Sequence, residues 1–326
     1  MGVFTISLDF ELHWGGFEKW PLDQYRQYFQ NERATIPRML ELFEQYEVHV
    51  TWATVGILFH ERFEQLQEDM PAIRPTYYKS EFSAYKYMET QGIGADEQTD
   101  PFHYGFSLLK KIAATPHQEI GSHTFSHYYC NEPGQNLEQF RYDLKAAQNA
   151  ASRLGVRLKS LVFPRNQFNS DYLKVCYEEG FNAVRSNPAS WYWDIQSVED
   201  ESLLKRLNRG ADAYLNLGAR KSIPLSSIRK SPNEPVCIPA SRLLRPYRPS
   251  EFFLNRMKVN RIKQEIKYAA KHNELYHLWW HPHNFGNHPT ESLRHLEEIL
   301  SWYRTMRDSF GIKSMNMNEL ATMLNV

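Results

Sequence analysis

Short strand-like segments alternate with helix-like segments along the whole chain, and this alternation constrains the fold more than any other feature. β-branched and apolar residues, partly alternating with polar ones, predict strands at residues 3–10, 48–55, 160–163, 182–185, 276–280 and around 314–315. Apolar residues at helical spacing predict helices at residues 34–46, 135–153, 170–179 and 290–308. Strands that alternate with helices in this way indicate an α/β fold built on a parallel sheet.

Two segments interrupt this rhythm and are predicted to be insertions in a single domain of 326 residues. Residues 60–118 are polar and rich in tyrosine. Residues 218–263 carry eleven Lys and Arg against two Glu, in a chain whose 38 basic and 38 acidic residues balance overall. This basic segment is either a solvated loop or a surface for an anionic ligand such as a nucleotide diphosphate.

Composition excludes several classes of protein. The zero net charge argues against a general nucleic-acid-binding protein, which would carry a positive balance. No apolar run reaches the roughly 18 residues that a membrane span requires. Residues 1–9 have the character of a strand and not of a secretory signal, so we expect a cytoplasmic location. The cysteines are odd in number and widely spaced, which predicts buried thiols instead of disulfides.

The strongest local motif is His123-Thr124-Phe125-Ser126-His127. If the segment is helical, histidines at i and i+4 lie on one face, where their imidazoles can bind one divalent metal. Such a site needs a third ligand, and Asp9 and Glu11 stand at the carboxyl end of the first predicted strand. Parallel α/β folds place their sites at that end, and two carboxylates there are costly without a cation nearby.

Two further predicted strands end in residues suited to catalysis. Arg165 follows the strand at 160–163, and an arginine beside a carboxylate keeps the pKa of that carboxylate low. His281 follows the strand at 276–280, and histidine titrates in the range that suits acid–base catalysis. On its own, each pattern is equally typical of a surface arginine or of a packing histidine.

Taken together and in this order, these segments resemble the motifs of the polysaccharide deacetylases of carbohydrate esterase family 4, which share the NodB-homology fold. The pair Asp9 and Glu11 is similar to the first motif, although a Phe separates two acids that are commonly adjacent. Residues 123–127 match the metal-binding motif H-[ST]-x-x-H in full. Residues 163–165 resemble the Arg-Pro motif in reversed order, and residues 278–281 resemble the late Leu-x-His motif.

The resemblance implies a distorted (β/α) barrel with the two insertions near its mouth. It also implies one divalent metal held by Glu11, His123 and His127. Zinc suits two histidines and a carboxylate, and Co, Ni, Fe or Mn can occupy the same kind of site.

The implied reaction is hydrolysis of an N-acetyl group on an amino sugar, which yields acetate and a free amine. By the same resemblance Asp9 is the base, Arg165 holds it ionised, and His281 protonates the departing amine, with His283 as the alternative acid. The length of the Glu11 side chain leaves open an exchange of roles between Glu11 and Asp9.

A cytoplasmic enzyme of this kind is expected to act on a nucleotide- or lipid-linked precursor in surface-polysaccharide assembly of the O-antigen or capsule type. The side chains expected to contact the sugar are Trp14, Trp191, Trp280 and His283. Trp191, with Trp193 and Asp194, is also nearest to the family's Asp-Trp motif. The alternatives are an allantoinase-like amide hydrolase on the same fold and a non-catalytic carbohydrate-binding relative.

Overall fold

The computed structural model describes residues 1–187 and 221–325, and in them a mostly parallel sheet curls into a nearly closed barrel. The strands are β1 (Val3–Phe10), β2 (Val50–Thr54), β3 (Gln118–Ser122), β4 (Ser160–Leu161), β5 (Ala183–Ser186), β6 (Ile223–Pro224), β7 (Val236–Pro239), β8 (Arg242–Leu243), β9 (Glu274–Trp280) and β10 (Lys313–Ser314). The helices are α1 (Leu22–Gln45), α2 (Phe63–Asp69), α3 (Ala84–Gln91), α4 (Phe106–Ala114), α5 (Leu137–Ser152), α6 (Ser170–Glu178), α7 (Phe252–His272), α8 (Pro289–Phe310) and α9 (Met317–Asn325).

The sheet comes close to closing because one short segment pairs with a strand at each end of the series. The strand order is β9-β1-β2-β3-β4-β5-β7, and every pair in this series is parallel. β8 follows β7 almost directly and pairs in parallel with β9, so residues 236–243 join β5 to β9. The predicted (β/α) barrel is confirmed, and the carboxyl ends of its strands meet at one end.

β1 lies between β9 and β2, and all eight of its residues are buried. Leu8 of β1 lies between two large rings, because in the sheet register it is opposite Trp52 of β2 and Trp280 of β9. A strand covered on both faces is expected to be apolar throughout. Ser7 and Asp9 break that rule on one face of β1, and both bind side chains inside the barrel.

Local signals set the ends of several helices. α5 begins at a capping box, in which the Asn136 side chain accepts from the backbone N–H of Gln139 at 3.0 Å and the Gln139 side chain accepts in return. α7 ends at Asn273 and α8 at Gly311, both with positive φ, which is the left-handed conformation that stops a helix.

The segments predicted as insertions contribute to the fold. Residues 60–118 contain α2, α3 and α4, and α4 packs into the main core through Leu109 and Ile112. Residues 218–263 contain β7 and β8, so this part of the segment is barrel and not insertion. The predicted helix at 34–46 is the second half of α1. Among the described residues, no helix combines the length and apolar character needed to cross a membrane.

Candidate metal and catalytic site

Three strand ends bring the predicted side chains together. Glu11 follows β1, His123 follows β3 and His281 follows β9. Because β1, β3 and β9 belong to one parallel barrel, the residues that follow them lie at the same end. The topology alone therefore assembles a site from residues far apart in the sequence.

Glu11, His123 and His127 form a compact cluster of metal-ligand type. Oε1 of Glu11 lies 2.9 Å from Nε2 of His123 and 3.3 Å from Nε2 of His127. The three side chains are only 1–3% exposed. Their ligand atoms all lie within 4.8 Å of one another, so one ion can reach all three.

A turn, and not the helix considered from the sequence, brings the two histidines together. Thr124 and His127 have positive φ values of 63° and 57°, which no α-helix contains. Asp143 of α5 stabilises this turn by accepting from the backbone N–H groups of Phe125 at 2.6 Å and Ser126 at 3.1 Å. The spacing of the motif thus predicts two adjacent imidazoles, and the structure brings them together by a turn instead of the helix on which that prediction was conditional.

A hydrogen bond to the backbone sets the tautomer of His123, and with it the nitrogen that offers a lone pair to the cluster. Nδ1 of His123 lies 2.8 Å from the carbonyl oxygen of Val162, and a carbonyl can only accept. In the neutral ring Nδ1 therefore carries the hydrogen, and Nε2 points an unshared pair at Glu11. Within the described residues this buried Nε2 has no hydrogen-bond partner.

This arrangement fits a divalent cation. A lone pair and a carboxylate oxygen repel each other at close range unless a proton or a metal lies between them. Burial alone would raise the pKa of Glu11, but the neighbouring His281, His123 and His127 hold it well below its usual range. Burial also lowers the pKa of His127, which favours the neutral form that binds metals.

A chain of polar contacts supports His127 from behind. Nδ1 of His127 lies 3.0 Å from the hydroxyl oxygen of Tyr129, and that hydroxyl donates to Oε1 of Glu18 at 3.2 Å. Arg165 donates to the same Glu18 oxygen at 2.8 Å and to Glu132 at 2.9 Å, with its guanidinium 3.9 Å from the centre of the Tyr129 ring. These contacts fix the ring orientation of a candidate metal ligand.

The structure therefore corrects the role predicted for Arg165. The residue follows β4 in a tight turn and has a φ of 56°, and its side chain pairs with Glu18 and Glu132. The predicted contact with Asp9 is made by another arginine.

Arg185 of β5 is the partner of Asp9. Its Nη1 and Nη2 donate to Oδ1 and Oδ2 of Asp9 at 2.6 and 2.7 Å, which is a bidentate pair. Asn166 accepts from Nε and Nη2 of Arg185 at 3.1 and 2.9 Å, and the guanidinium lies 4.2 Å from the Trp279 ring centre. Burial raises the pKa of Asp9, but Arg185 and then His281 outweigh it and lower the pKa, so Asp9 is ionised.

Arg185 was within a predicted strand but was not singled out from the sequence. The available signal was its position after Ala183 and Val184 in an otherwise apolar strand. Strand alternation places Arg185 on the same face as Ala183. A charged residue that is fully buried in a sheet needs a partner of opposite charge, so this position could have indicated a buried ion pair.

His281 and His283 lie beside the acidic pair. Nε2 of His281 is 3.6 Å from Oδ2 of Asp9 and 3.9 Å from Oε1 of Glu11, and its side chain is 27% exposed. Nδ1 of His283 is 4.0 Å from Oε2 of Glu11. Burial, with a contribution from His281, lowers the pKa of His283 to about 3. His283 is therefore neutral at physiological pH and poorly suited to the alternative acid role, whereas His281 is reachable.

The tryptophans predicted to bind the sugar are placed differently from the prediction. Trp14 and Trp280 are fully buried, Trp14 donates from Nε1 to the backbone carbonyl of His103 at 2.9 Å, and Trp280 stacks on Phe285. Neither ring offers a surface to a ligand, so their assignment as sugar contacts is corrected to core packing. Trp191, with Trp193 and Asp194, lies outside the described residues.

A cavity of about 910 Å³ is lined by residues that contact side chains around the cluster, although none of the cluster's own residues lines it. Glu18 and Trp20 line it, and the same residues reach the site, because Glu18 binds Tyr129 and the Trp20 ring lies 5.2 Å from that of His283. Other rings that line the cavity are Phe17, Tyr87 and Phe102. Aromatic faces with polar groups between them suit a sugar ring.

The basic segment presents fewer free charges than its composition indicates. Arg242 is 6% exposed and makes a bidentate ion pair with Glu265 of α7, with distances of 2.8 and 2.6 Å. Arg229 pairs with Glu234, and Arg248 pairs with Glu251. Arg242 cannot therefore hold the diphosphate of a substrate in this arrangement.

Comparison with known proteins agrees with this architecture. The family model described as polysaccharide deacetylase matches residues 23–184, which include the His123–His127 turn. The strands that carry Asp9 and His281 lie outside the matched range, and the barrel places them beside it. No curated protein matches the chain.

Solved structures of related fold cover nearly the whole chain. A protein from Mycobacterium smegmatis assigned to the polysaccharide deacetylases is 13% identical, with a TM-score of 0.60 over 99% of this chain and 90% of its own. A Pseudomonas aeruginosa PAO1 protein with the same assignment is 13% identical, with a TM-score of 0.53 over 98% and 89%. PuuE allantoinase is 11% identical, with a TM-score of 0.57 over 98% and 89%. At such identities the structural likeness concerns the fold alone.

The family match, the barrel and the His-Thr-x-x-His turn at the carboxyl ends of its strands agree with one another. Residues 23–184 therefore place this part of the chain in the polysaccharide deacetylase family.

Proposed function

We propose that the protein is a metal-dependent hydrolase that removes the N-acetyl group from an amino sugar. The observation that carries this proposal is the convergence of two sets of residues at one end of the barrel. Glu11, His123 and His127 form a ligand set, and Asp9 with its Arg185 partner lies directly beside it.

The geometry supports distinct roles for the two acids. Oε1 of Glu11 faces both histidines, whereas both oxygens of Asp9 are occupied by Arg185. Glu11 is therefore the better ligand and Asp9 the better base. The ligand atoms of Asp9, Glu11 and His281 also lie within 4.8 Å of one another, so the base stands close to the glutamate that would hold the ion.

Each side chain has a task in amide hydrolysis. A divalent metal bound to Glu11, His123 and His127 would supply Lewis-acid polarisation of the acyl carbonyl and of a water molecule. Asp9 takes a proton from that water, and Arg185 keeps Asp9 ionised and oriented. His281 gives a proton to the leaving nitrogen, since an amide nitrogen departs poorly without one. Zinc suits this ligand set best.

Features outside the ligand cluster support a sugar substrate. The cavity of about 910 Å³ shares Glu18 and Trp20 with the surroundings of the site and has room for a sugar unit, with rings such as Trp20 and Tyr87 in its wall. A precursor of surface-polysaccharide assembly in the cytoplasm is our proposed substrate class. The complete set of ligands, base, arginine and acid argues against a non-catalytic relative.

The test is acetate release from nucleotide-linked and lipid-linked N-acetyl sugars by the metal-loaded protein, with the His123→Ala variant as the control. We expect release by the wild type and none by a folded His123→Ala variant. Hydrolysis of small ureides without release of acetate would replace the proposal with an allantoinase-like activity. Full metal occupancy without release from either sugar class would overturn the proposed substrate.

A further inference from the structure

An exposed patch of apolar and basic side chains lies at the start of α7. We call it the α7 patch and define it by Phe252, Phe253, Arg256, Met257 and the preceding Arg248. Phe252 and Phe253 are 69% and 79% exposed, and Met257 is 39% exposed. Two adjacent phenylalanines with a methionine one turn further form a continuous apolar surface, unlike the isolated apolar residues common on protein surfaces.

The patch is separate from the face by which α7 packs on the barrel. The buried face of α7 contains Val259, Ile262 and Ile266, at the spacing of one helical stripe. Phe253, Arg256 and Met257 are spaced three and four residues apart, which makes them neighbours on the outer side. The core therefore does not require these apolar residues, and their exposure calls for another explanation.

The charges around the patch indicate the kind of partner. Of the six Lys and Arg in residues 245–263, Lys258 is buried, and Arg261 and Lys263 pair with Glu265 and Glu298, so the exposed charge of the patch is that of Arg248 and Arg256. Arg248 pairs with Glu251 at 3.2 Å but keeps 63% of its side chain exposed, and Arg256 is exposed within the patch itself. Rings flanked by arginines suit the boundary between lipid headgroups and acyl chains, where the rings enter the apolar layer and the arginines meet phosphates.

The patch also lies at the end of the barrel that carries the site. α7 leads into β9 through the single residue Asn273, so the helix and the strand run in opposite directions. The start of α7 is therefore at the same end as the carboxyl end of β9, where His281 follows. A surface that contacts the α7 patch would lie at the end of the barrel where the site opens.

We propose that the α7 patch docks the protein on an anionic phospholipid membrane through Phe252, Phe253 and the neighbouring arginines. Docking itself does not depend on the proposed function. Together with the proposed function, docking favours a lipid-linked N-acetyl sugar presented at the membrane surface as the substrate.

The experiment is co-sedimentation of the full chain with vesicles of equal parts phosphatidylglycerol and phosphatidylcholine, and with vesicles of phosphatidylcholine alone. We expect binding to the anionic vesicles only, and a weakening of that binding as salt is raised. The double variant Phe252→Ser/Phe253→Ser should bind at least about tenfold more weakly, because both rings lose their apolar contact. Arg248→Gln/Arg256→Gln should weaken binding in the same direction.

A matched control is Tyr78→Ser, because Tyr78 is 84% exposed and belongs to residues 60–118. This variant should bind like the wild type. Equal binding by the wild type and the Phe252→Ser/Phe253→Ser variant would overturn the proposal. Absence of vesicle binding together with a Phe-dependent dimer in sedimentation equilibrium would overturn it in favour of a second copy of the chain.

Acetate release then tests the consequence for the substrate separately. Preference for a lipid-linked over a nucleotide-linked sugar supports it. The opposite preference with docking intact would refute the substrate inference alone. Absence of release from both sugars by the fully metal-loaded protein would overturn the proposed substrate and this consequence with it, while docking would stand.

Discussion

The guanidinium of Arg185 binds both carboxylate oxygens of Asp9, at 2.6 and 2.7 Å, although the two residues lie on β5 and β1, which are not neighbours in the sheet. The pair spans the interior of the barrel. It orients the candidate base and lowers its pKa, and Asn166 and Ser7 accept further hydrogen bonds from the same guanidinium. The position and the ionised state of Asp9 thus depend on contacts from several parts of the barrel.

Replacing this guanidinium should impair turnover without removing the metal. Arg185→Lys keeps the charge but loses the two-pronged contact, so Asp9 is free to move from the position that the reaction requires. We expect kcat to fall roughly 10- to 100-fold, because a small misplacement of a catalytic group has effects of that size. Metal content measured after dialysis should stay at one equivalent.

Arg165→Lys is the matched control, since Arg165 contacts Glu18 and Glu132 and not Asp9. With saturating metal its kcat should remain near that of the wild type. An equal loss of kcat in both variants would contradict the assignment of Arg185.

The two acids should separate in a metal-binding experiment. Asp9→Asn keeps Glu11, His123 and His127 in place, so the folded variant should retain metal and lose activity. Glu11→Gln removes the carboxylate that faces both histidines and should lower metal content as strongly as His123→Ala does. Atomic absorption on dialysed samples measures both. The reverse outcome would exchange the roles of Asp9 and Glu11.

Sequence patterns located the strand ends but could not choose between the two arginines. Alternating strands and helices predict a parallel sheet, and polar residues after its strands predict a site. Arg165 follows β4 and Arg185 lies on the neighbouring β5, so the sequence places both near the carboxyl ends of adjacent strands, where the site is predicted. Which of them reaches Asp9 depends on the closure of the barrel and on the turn after β4, and no local pattern encodes either.

The same limit applies to the His123–His127 turn and to the tryptophans. The spacing of the motif brings two imidazoles near each other, but the turn that aligns them is held by Asp143, a residue on α5. Tryptophan is the residue type expected to contact a sugar, but Trp14 and Trp280 are completely buried by the packing of distant elements. Whether a tryptophan faces a ligand or the core therefore depends on tertiary contacts.

Tyr129→Phe should weaken metal binding. The hydroxyl links Nδ1 of His127 to Glu18, and its loss leaves the ring of a candidate ligand without an oriented partner. Contacts of this kind are worth about 10- to 100-fold in metal affinity. Competition with a chromophoric chelator measures the affinity without any assay of activity.

Tyr128→Phe is the control for this experiment. The Tyr128 hydroxyl donates to Gln135 and to the backbone carbonyl of Asn136, so it does not support either histidine. Its metal affinity should equal that of the wild type. Unchanged affinity in Tyr129→Phe would show that the contact chain does not act on the metal.

Substitutions at Trp280 should alter stability before they alter substrate binding. The ring is fully buried, and Trp280→Ala should lower the free energy of unfolding by about 3–5 kcal/mol because it leaves a cavity. Trp280→Phe should cost less, since Nε1 of Trp280 is buried and has no hydrogen-bond partner among the described residues. Urea denaturation measures both variants. A raised KM in a fully stable Trp280→Phe protein would restore a role in substrate contact.

Protonation of Glu265 should account for a measurable part of the stability that the protein loses at low pH. It accepts from Arg242 at 2.6 and 2.8 Å and from Tyr276 at 2.8 Å. Burial raises its pKa, but Arg242 and the hydrogen bonds outweigh burial and bring the pKa below its ordinary value of 4.5. Because the folded pKa lies below the unfolded one, this stabilisation is complete above about pH 4.5 and is lost as the pH falls through the folded pKa.

The comparison of wild type with Glu265→Gln isolates this contribution from the other acids. At pH 7 the variant should be less stable by about 3 kcal/mol, because Arg242 remains buried without its charged partner. As the pH falls through the folded pKa, the wild-type glutamate becomes neutral like glutamine, and the difference between the two proteins should shrink. Glu298→Gln is the matched control, since Glu298 is 48% exposed and its pair with Lys263 should contribute at most about 1 kcal/mol. A constant difference between wild type and Glu265→Gln across the acid range would show that the Glu265 carboxylate does not stabilise the fold through its charge.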